Sequence, residues 1–347
     1  MPQKQVAVAM SGGIDSSVAA ALLKKQGYQV IGVTMHLSDS EKGSDTIENA
    51  KRVANKLAIA HDGIDFGKPF WQQVITPFFS EYGRGRTPNP CIACNQYIKF
   101  GLLLNKVRQM GADYLATGHY ARVEPCSIGY RLLKAIDHSK DQSYFLYTLG
   151  QEQLRYLLLP MGNIYKSQAR RMAREMGLAN TARYESQDIC FIPDNNYRSF
   201  IAEHIPSQPG DIIDTDGKIL GKHKGLAYYT VGQRQGLGLA SDKRLYVLKL
   251  DAKSNRLVVG SHDQLSSNKL VASQLSWISG KAPEDSRDIT AKVRYKSPET
   301  AASLHLNNGT AEVRFSQPQW AISPGQAIVF YQGEAVSGGG IIEDNVD

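Results

Sequence analysis

Residues Ser11 to Ser17 read SGGIDSS, between the apolar run Val6-Ala7-Val8-Ala9-Met10 and the run Val18-Ala19-Ala20-Ala21-Leu22-Leu23. The first run has the length and composition of a buried strand. The second is rich in strong helix formers. A serine and glycine turn that leaves a strand and opens a helix aims several backbone N–H groups at one point, with no side chains in the way. The helix dipole adds partial positive charge there, so the turn is a cradle for phosphate. No Gly-Lys-Ser/Thr follows the glycines, which excludes a Walker A loop.

The same alternation continues outward from this turn. Gln29–Met35 reads as a second strand and Ile59–Phe66 as a third. Between them, Asp45 caps a helix with Ile47, Ala50, Val53, Ala54 and Leu57 on one face,. Ser38–Ser44 reads as a surface loop. A further helix places Trp71, Val74, Ile75, Phe78 and Phe79 inward and is kinked by Pro77. Asn95 to Met110 forms the next helix, closed by Gly111. Ala112–Thr117 is a strand that runs into Gly118-His119. Alternation of this kind predicts an α/β fold with a doubly wound parallel sheet, whose ligands bind at the carboxyl ends of the strands. The Ser11–Ser17 turn, Met35 and Gly118-His119 all fall at such ends.

Past about residue 205 the pattern changes. Residues 205–210 (IPSQPG) read as a linker, Asp216-Gly217 and Asn308-Gly309 as hairpin turns, and Arg244–Leu250, Arg256–Val259, Thr290–Tyr295 and Ala311–Phe315 as short strands,. The expected organisation is a catalytic domain over 1–204, a small mainly-β central domain over 205–270 and a C-terminal β-barrel-like domain over 271–347. No apolar stretch approaches 18 residues, and the N-terminus lacks the pattern of a signal peptide, so the expectation is a cytoplasmic protein without a membrane span. The net charge is +7. Residues 201–347 carry 16 basic and 16 acidic side chains, so residues 1–200 hold the whole excess, 24 against 17. A basic catalytic half suits a polyanion such as nucleic acid; a solvated basic surface explains the charge equally well.

Four cysteines are present, a number that in a cytosolic enzyme points to catalysis or metal rather than a disulfide framework. Cys91 and Cys94 lie in GRTPNPCIACNQYIKF (Gly85–Phe100), where Pro88 and Pro90 force an extended approach and a helix starts near Cys91–Asn95. A cysteine at a helix N-terminus has a depressed pKa, so both are placed to react or to ligate metal. A zinc ribbon would need a second pair, which is lacking; a redox pair and two packing thiols stay open. Cys190 lies in ESQDICFIP (Glu185–Pro193) and, taken alone, reads as a buried core thiol.

The phosphate turn resembles the pyrophosphate-binding loop of the ATP pyrophosphatase superfamily. Together with GRTPNPCIACNQYIKF, ATGHY, KDQSYFLYTL, ESQDICFIP, YTVGQRQGLG, VRYK and the PGQAIVFYQGEAVSGGGIIE tail, in this order and spacing, it resembles the bacterial tRNA-specific 2-thiouridylases over nearly the whole chain. The resemblance implies ATP-dependent transfer of sulfur to carbon-2 of the wobble uridine of tRNA, through an adenylated base. It implies ATP contacts from Ala9, Met10, Ser11, Gly12, Gly13, Ile14, Asp15 and Ser16, with Asp15 acting through magnesium, and from Met35 and Gly118. Cys94 becomes the nucleophile. Cys190 becomes the persulfide carrier, charged by a sulfur-relay protein or a cysteine desulfurase, and forms a transient disulfide with Cys94. Asn89, Pro90, Cys91 and His119 are implied at the target base, Lys140, Asp141 and Gln142 at the anticodon loop, and Arg294, Tyr295 and Gln326 as barrel contacts to the RNA. His119 as a loop-holding hydrogen bonder, and Arg294-Tyr295 as ordinary strand alternation, remain alternatives, as does Met35 as core. Arg170, Arg171 and Arg174 read as a helix face that tracks RNA backbone or is simply solvated. Cys126 matches no motif and reads as structural.

One departure stands out. Many family members carry aspartate where this chain has Cys91. Three cysteines (Cys91, Cys94 and Cys190) could then hold a four-iron four-sulfur cluster with one open iron, and the persulfide and cluster routes both stay open. Two other classes remain beside the thiolase: another tRNA-adenylating enzyme of the superfamily, such as the lysidine-forming ligase, and a non-catalytic tRNA-binding protein.

Overall fold

The computed structural model describes residues 3–38, 41–178, 189–192, 196–283 and 289–343. Five strands, β1 (Gln5–Ala9), β2 (Gln29–His36), β3 (Ala60–Asp65), β4 (Tyr114–Ala116) and β7 (Leu157–Leu158), form a parallel sheet in the order β3-β2-β1-β4-β7. Val6, Ala7 and Val8 of β1 are all buried, as a strand covered on both faces requires,. Helices α1 (Ile14–Lys25) and α2 (Glu41–Lys56) pack Val18, Ala19, Leu23, Ala50 and Val53 on one face. The helical stretches 67–83 and 90–109 pack Phe70, Ile75, Ile98, Leu103 and Val107 on the other. This is the expected doubly wound sheet.

Local departures have physical causes. Helix α2 starts at Glu41, so Asp45 lies inside it rather than at its cap, and residues 41–44 are helical rather than loop. The stretch 67–83 widens into a π-helix over Trp71–Ile75, directly before Pro77. Proline offers no N–H and clashes with the carbonyl one turn back, and the wider turn relieves both, so the expected kink is a π-bulge. Trp71 faces outward, 49 % exposed, against His204. The next helix starts at Pro90, earlier than expected, and is π-helical over Cys94–Leu103.

Between β4 and β7 a hairpin, β5 (Ala121–Cys126) and β6 (Gly129–Lys134), reaches away from the parallel sheet. The central unit is a four-stranded sheet of β8 (Gly210–Ile213), β9 (Ile219–His223), β10 (Tyr246–Asp251) and β11 (Arg256–Gly260), ordered β10-β11-β8-β9. Asp216-Gly217 turns β8 into β9. The last six strands are β12 (Ser266–Trp277), β13 (Ile289–Lys292), β14 (Thr300–Asn307), β15 (Thr310–Trp320), β16 (Ala327–Gln332) and β17 (Ala335–Ile342). They run β12-β15-β14-β13-β16-β17, and β17 pairs back with β12, which closes the barrel and removes its edges,. Asn308 and Gly309, both at positive φ, make the β14–β15 turn. The barrel is joined to the first domain: β17 pairs with β6, the Tyr144 hydroxyl donates to the Ala327 carbonyl at 2.8 Å, and Val329, Tyr331 and Val336 share one core with Leu132 and Tyr147. No helix among the described residues is long and apolar enough to cross a membrane.

Candidate active site

The phosphate turn is shaped by its glycines and serines. Gly12 has φ +71°, and a side chain there would collide with Asn49 of α2. Gly13 is the N-cap of α1, with extended backbone and no side-chain cap. The hydroxyls of Ser17 and Ser16 donate to the Gly13 carbonyl at 2.7 and 3.3 Å, and the Ser11 N–H donates to Ser16 Oγ at 3.2 Å. The buried serines thus hold the turn, while the first N–H groups of α1 are left without a side-chain cap. That is the arrangement an incoming phosphate satisfies. Ala9 and Met10 end β1 beneath the turn; the Met10 N–H donates to the Val33 carbonyl, and its own carbonyl accepts from Thr34 Oγ1. Met35 stands half-buried near the carboxyl end of β2.

Asp15, in the first turn of α1 beside Ile14, is held from two directions. Lys166 Nζ donates to both of its oxygens at 2.7 Å, and the Tyr120 hydroxyl donates to Oδ1 at 2.8 Å. Burial, then the Asp15 charge, pushes the Tyr120 phenol up. Asp15 offers hard carboxylate oxygens of the kind magnesium takes, and here Lys166 and Tyr120 occupy them. Gly118 closes the other side: a Cβ on it would lie 2.8 Å from the Ser16 nitrogen. The turn after β4 therefore lies directly on the phosphate turn.

The same turn reaches the cysteines. His119, next to Gly118, hydrogen-bonds Thr117 Oγ1 through Nδ1 at 2.7 Å and lies 5.7 Å, centre to centre, from the Phe100 ring of the cysteine helix. Burial, then Lys99, holds its pKa well below the usual histidine range, so the ring is neutral. The Lys99 charge also acts on Cys91 and Cys94. In a π-helix the carbonyl of residue i pairs with i+5, so the widened turn from Cys94 brings Lys99 back toward the cysteine's own face.

The thiols correct the expectation of depressed pKa values. Burial pushes Cys91 up to about 11 and Cys94 up to about 12, and the Lys99 charge offsets only part of this. Cys94 is buried and sits past the first helical turn, where the helix dipole is weak and no water solvates a thiolate,. Cys190 is exposed, contrary to its reading as a core thiol. Its neighbours explain how: Phe191 packs edge-on against Phe70 and Phe78 at 5.7 and 5.4 Å, and Ile192 is buried beside Phe78. The flanking side chains anchor the segment and leave the sulfur outward. Cys91, Cys94 and Cys190 lie within electrostatic reach of one another, and none is in a disulfide. Yet among the described residues no three His, Cys, Asp or Glu side chains converge as a metal-ligand set. The cysteines as placed do not fit a three-thiolate cluster cradle. Residues 185–188 and 193 of ESQDICFIP lie outside the described residues. Cys126 ends β5, away from this group.

The residues assigned to RNA fall into two groups. Asn89, Pro90 and Cys91 enter the cysteine helix, with Asn89 half-buried and its side chain not used as a cap. Asp141, between Lys140 and Gln142, lies within electrostatic reach of Lys292, Tyr295 and Tyr331 of the barrel. Buried Asp141 accepts from the Ala135 and Ser143 N–H groups and the Ser143 hydroxyl, and burial raises its carboxyl pKa. Gln142 Oε1 accepts from the Tyr120 N–H. Tyr295 stacks obliquely on Phe145 at 4.5 Å, and the Arg294 guanidinium lies 5.4 Å over the Trp320 ring. Gln326 Nε2 donates to the Thr87 carbonyl at 2.8 Å, so it braces the lead-in to Asn89. Arg86 ties that lead-in to Glu81 of the preceding helix and, through Glu343 and the Ile342 carbonyl, to the barrel. Arg170, Arg171 and Arg174 are exposed on one helix, with Arg171 paired to Glu175. Sequence reading missed Lys166, Tyr120 and Lys99. Lys166 meets Asp15 across 151 residues, and no local pattern signals that.

The comparisons with known proteins agree with this layout. The profile described as "tRNA methyl transferase HUP domain" matches residues 4–194, "tRNA methyl transferase PRC-barrel domain" residues 198–261, and "Aminomethyltransferase beta-barrel domain" residues 267–342. The tRNA-specific 2-thiouridylase MnmA of Halothermothrix orenii is 47 % identical over 355 residues, 98 % of this chain and 99 % of the relative. That of Geotalea uraniireducens is 48 % identical over 99 % of this chain and 96 % of the relative. Among solved structures, the U34-tRNA thiolase NcsA from Methanococcus maripaludis with its [4Fe-4S] cluster aligns at TM-score 0.37 and 18 % identity, over 58 % of this chain and 63 % of that one. Near-complete coverage at this identity places the chain in the family of tRNA-specific 2-thiouridylases.

Proposed function

We propose that the chain thiolates carbon-2 of the wobble uridine of tRNA in the cytoplasm, at the expense of ATP. The observation that carries this reading is the Gly118-His119 turn, which touches the phosphate cradle with one residue and the cysteine helix with the next. Adenylation and sulfur attack on one base need those two centres side by side.

The N–H groups of Gly13 and α1 receive the phosphates, and Met35 and Gly118 line the nucleotide. The uridine O2 attacks the α phosphate, the bond to the β phosphate breaks, and pyrophosphate leaves from the cradle. Magnesium at Asp15 would neutralise phosphate charge, with Lys166 beside it. Neutral His119, Asn89 and Pro90 border the flipped base, as chemistry on a base in a pocket requires. Cys190 carries a persulfide received from a relay protein or desulfurase. Its outer sulfur attacks carbon-2, and AMP leaves with the former O2. Cys94, as thiolate, attacks Cys190 Sγ; the base leaves as the thiolate, and a Cys94–Cys190 disulfide remains for an external thiol to reduce. Lys140, Asp141, Gln142, Arg294 and Tyr295 support the anticodon arm, and Gln326 does so through the Thr87 carbonyl.

Incubation of the protein with ATP, tRNA and a persulfide donor tests this reading, with nucleosides analysed by mass spectrometry. Thiolated uridine is expected from the parent and Cys126→Ser, and none from Cys94→Ser or Cys190→Ser. Undiminished product from both of the latter overturns it.

A further inference from the structure

Residues Thr230–Leu245 (TVGQRQGLGLASDKRL) hold no strand or helix, yet they are well tied down at the root. The Gly232 N–H donates to the Val247 carbonyl at 2.8 Å, and the Val247 N–H donates to the Gln233 carbonyl at 2.9 Å. Gln233 Oε1 accepts from the Thr230 N–H, and Nε2 donates to the Gln235 carbonyl. Gly232, at φ +86°, is pressed on the barrel: a Cβ there would lie 2.7 Å from Ala321 and 3.2 Å from the Trp320 ring. Buried Leu237 pins the middle.

Beyond the root, the loop encloses an open cavity of about 290 Å³ lined by Arg234, Gly236, Gly238, Asp242, Lys243 and Arg244. Arg234, Lys243 and Arg244 are exposed, and none makes an ion pair among the described residues. Gly236 and Gly238 have φ of +78° and +70° and leave the backbone uncovered. A fourth cation, Arg198, abuts Gly236 from the helix Tyr197–His204: its Nη2 would lie 2.9 Å from a Cβ at Gly236. Asp242 is the only acidic side chain among the lining residues.

Two connections give the cavity a direction. Phe200, on the helix of Arg198, packs on Phe191 at 5.6 Å, next to Cys190. The Trp320 ring beneath Gly232 carries Arg294 on it at 5.4 Å and stacks on His262 at 5.3 Å. Cations and aromatic rings therefore run from Arg294 past Trp320 to the loop. An open, cationic surface interleaved with rings fits a phosphodiester backbone rather than a small phosphate ester, which a deep enclosed pocket would suit better,.

We propose that the Arg234–Arg244 loop of the central domain is a second RNA-binding site, which grips backbone phosphates of the substrate tRNA outside the target base. This rests on the reading that the chain acts on tRNA. Phosphate contacts fix register on RNA without reading sequence, so the loop would hold the body of the tRNA while the base meets the cysteines.

The test is the salt dependence of tRNA affinity for the full-length protein, measured by equilibrium titration. Parent and the triple variant Arg234→Gln/Lys243→Gln/Arg244→Gln are compared with a control of equal charge, Lys25→Gln/Lys106→Gln/Lys218→Gln. Each lost phosphate contact removes about 0.7–0.9 from the slope of log K on log salt, so the loop variant should lose about 2–3 and the control clearly less than 1. Arg234→Lys/Arg244→Lys should keep most of the slope, which separates charge from damage to the loop. Thiolation is read in parallel. A parent that thiolates tRNA while the loop variant keeps its slope overturns this inference alone. A parent that neither binds nor thiolates tRNA overturns the reading beneath it. A loop variant with unchanged tRNA slope whose thiolation fails with the protein sulfur donor but recovers with a small-molecule persulfide assigns the surface to a protein partner, and also overturns the inference.

Discussion

The burial of Cys94 has a consequence that pH can read. Its pKa of about 12 means that about 10⁻⁴ of the resting enzyme is thiolate there at pH 8. An ordinary thiol near 8.5 would be about a quarter ionised at that pH. The structure therefore predicts about two-thousandfold less Cys94 thiolate than an exposed thiol would give,. In a protein reduced to this one cysteine by Cys91→Ser, Cys126→Ser and Cys190→Ser, iodoacetamide alkylation should rise tenfold per pH unit from 7 to 10, without a plateau. Steric shielding lowers the whole line and leaves its slope alone, so the slope reports ionisation. Lys99→Met removes the favourable cation and should lower the line further. A plateau near pH 7 to 8 would refute the argument, because it would mean that the helix dipole or Lys99 outweighs burial.

Other perturbations follow from the geometry. Lys166→Met leaves the Asp15 carboxylate, one-third exposed, with Tyr120 alone; the loss should be about 1–3 kcal/mol of stability, discounted for that exposure, together with a weakened ATP dependence of AMP formation, both measured on one preparation by urea melts and initial rates. Gly12→Ala forces a side chain into a left-handed conformation against Asn49, so about 1–3 kcal/mol of strain is expected, with pyrophosphate release abolished. Arg86→Met removes bonds to Glu81, Glu343 and Ile342; a fall of about 1–3 kcal/mol is expected, and proteolysis should cut the Thr87–Asn89 lead-in faster than in the parent.

The parallel sheet was legible because β1 carries its turn chemistry next to it, and the barrel hairpin at Asn308-Gly309 was legible for the same reason. Both depend on residues close in sequence. The thiol pKa values were not legible: a dipole argument needs only the local helix, whereas burial depends on the Phe70, Phe145 and Phe191 layers brought from elsewhere. The π-helical turns also escaped, since no residue type marks them apart from Pro77. They decide which side chains face the site, as Trp71 turning outward and Lys99 turning inward show. Lys166 escaped because its partner is 151 residues away. Cys190 read as core because its neighbours are apolar; those neighbours are the anchors, and the sulfur is what they present.

The most direct measurement follows the oxygen that thiolation removes. With tRNA whose wobble uridine carries ¹⁸O at the carbon-2 carbonyl, O2 attack on the α phosphate predicts one label in AMP and none in pyrophosphate. Label retained in the thiolated tRNA, lost to water or found in pyrophosphate would contradict adenylation of the base.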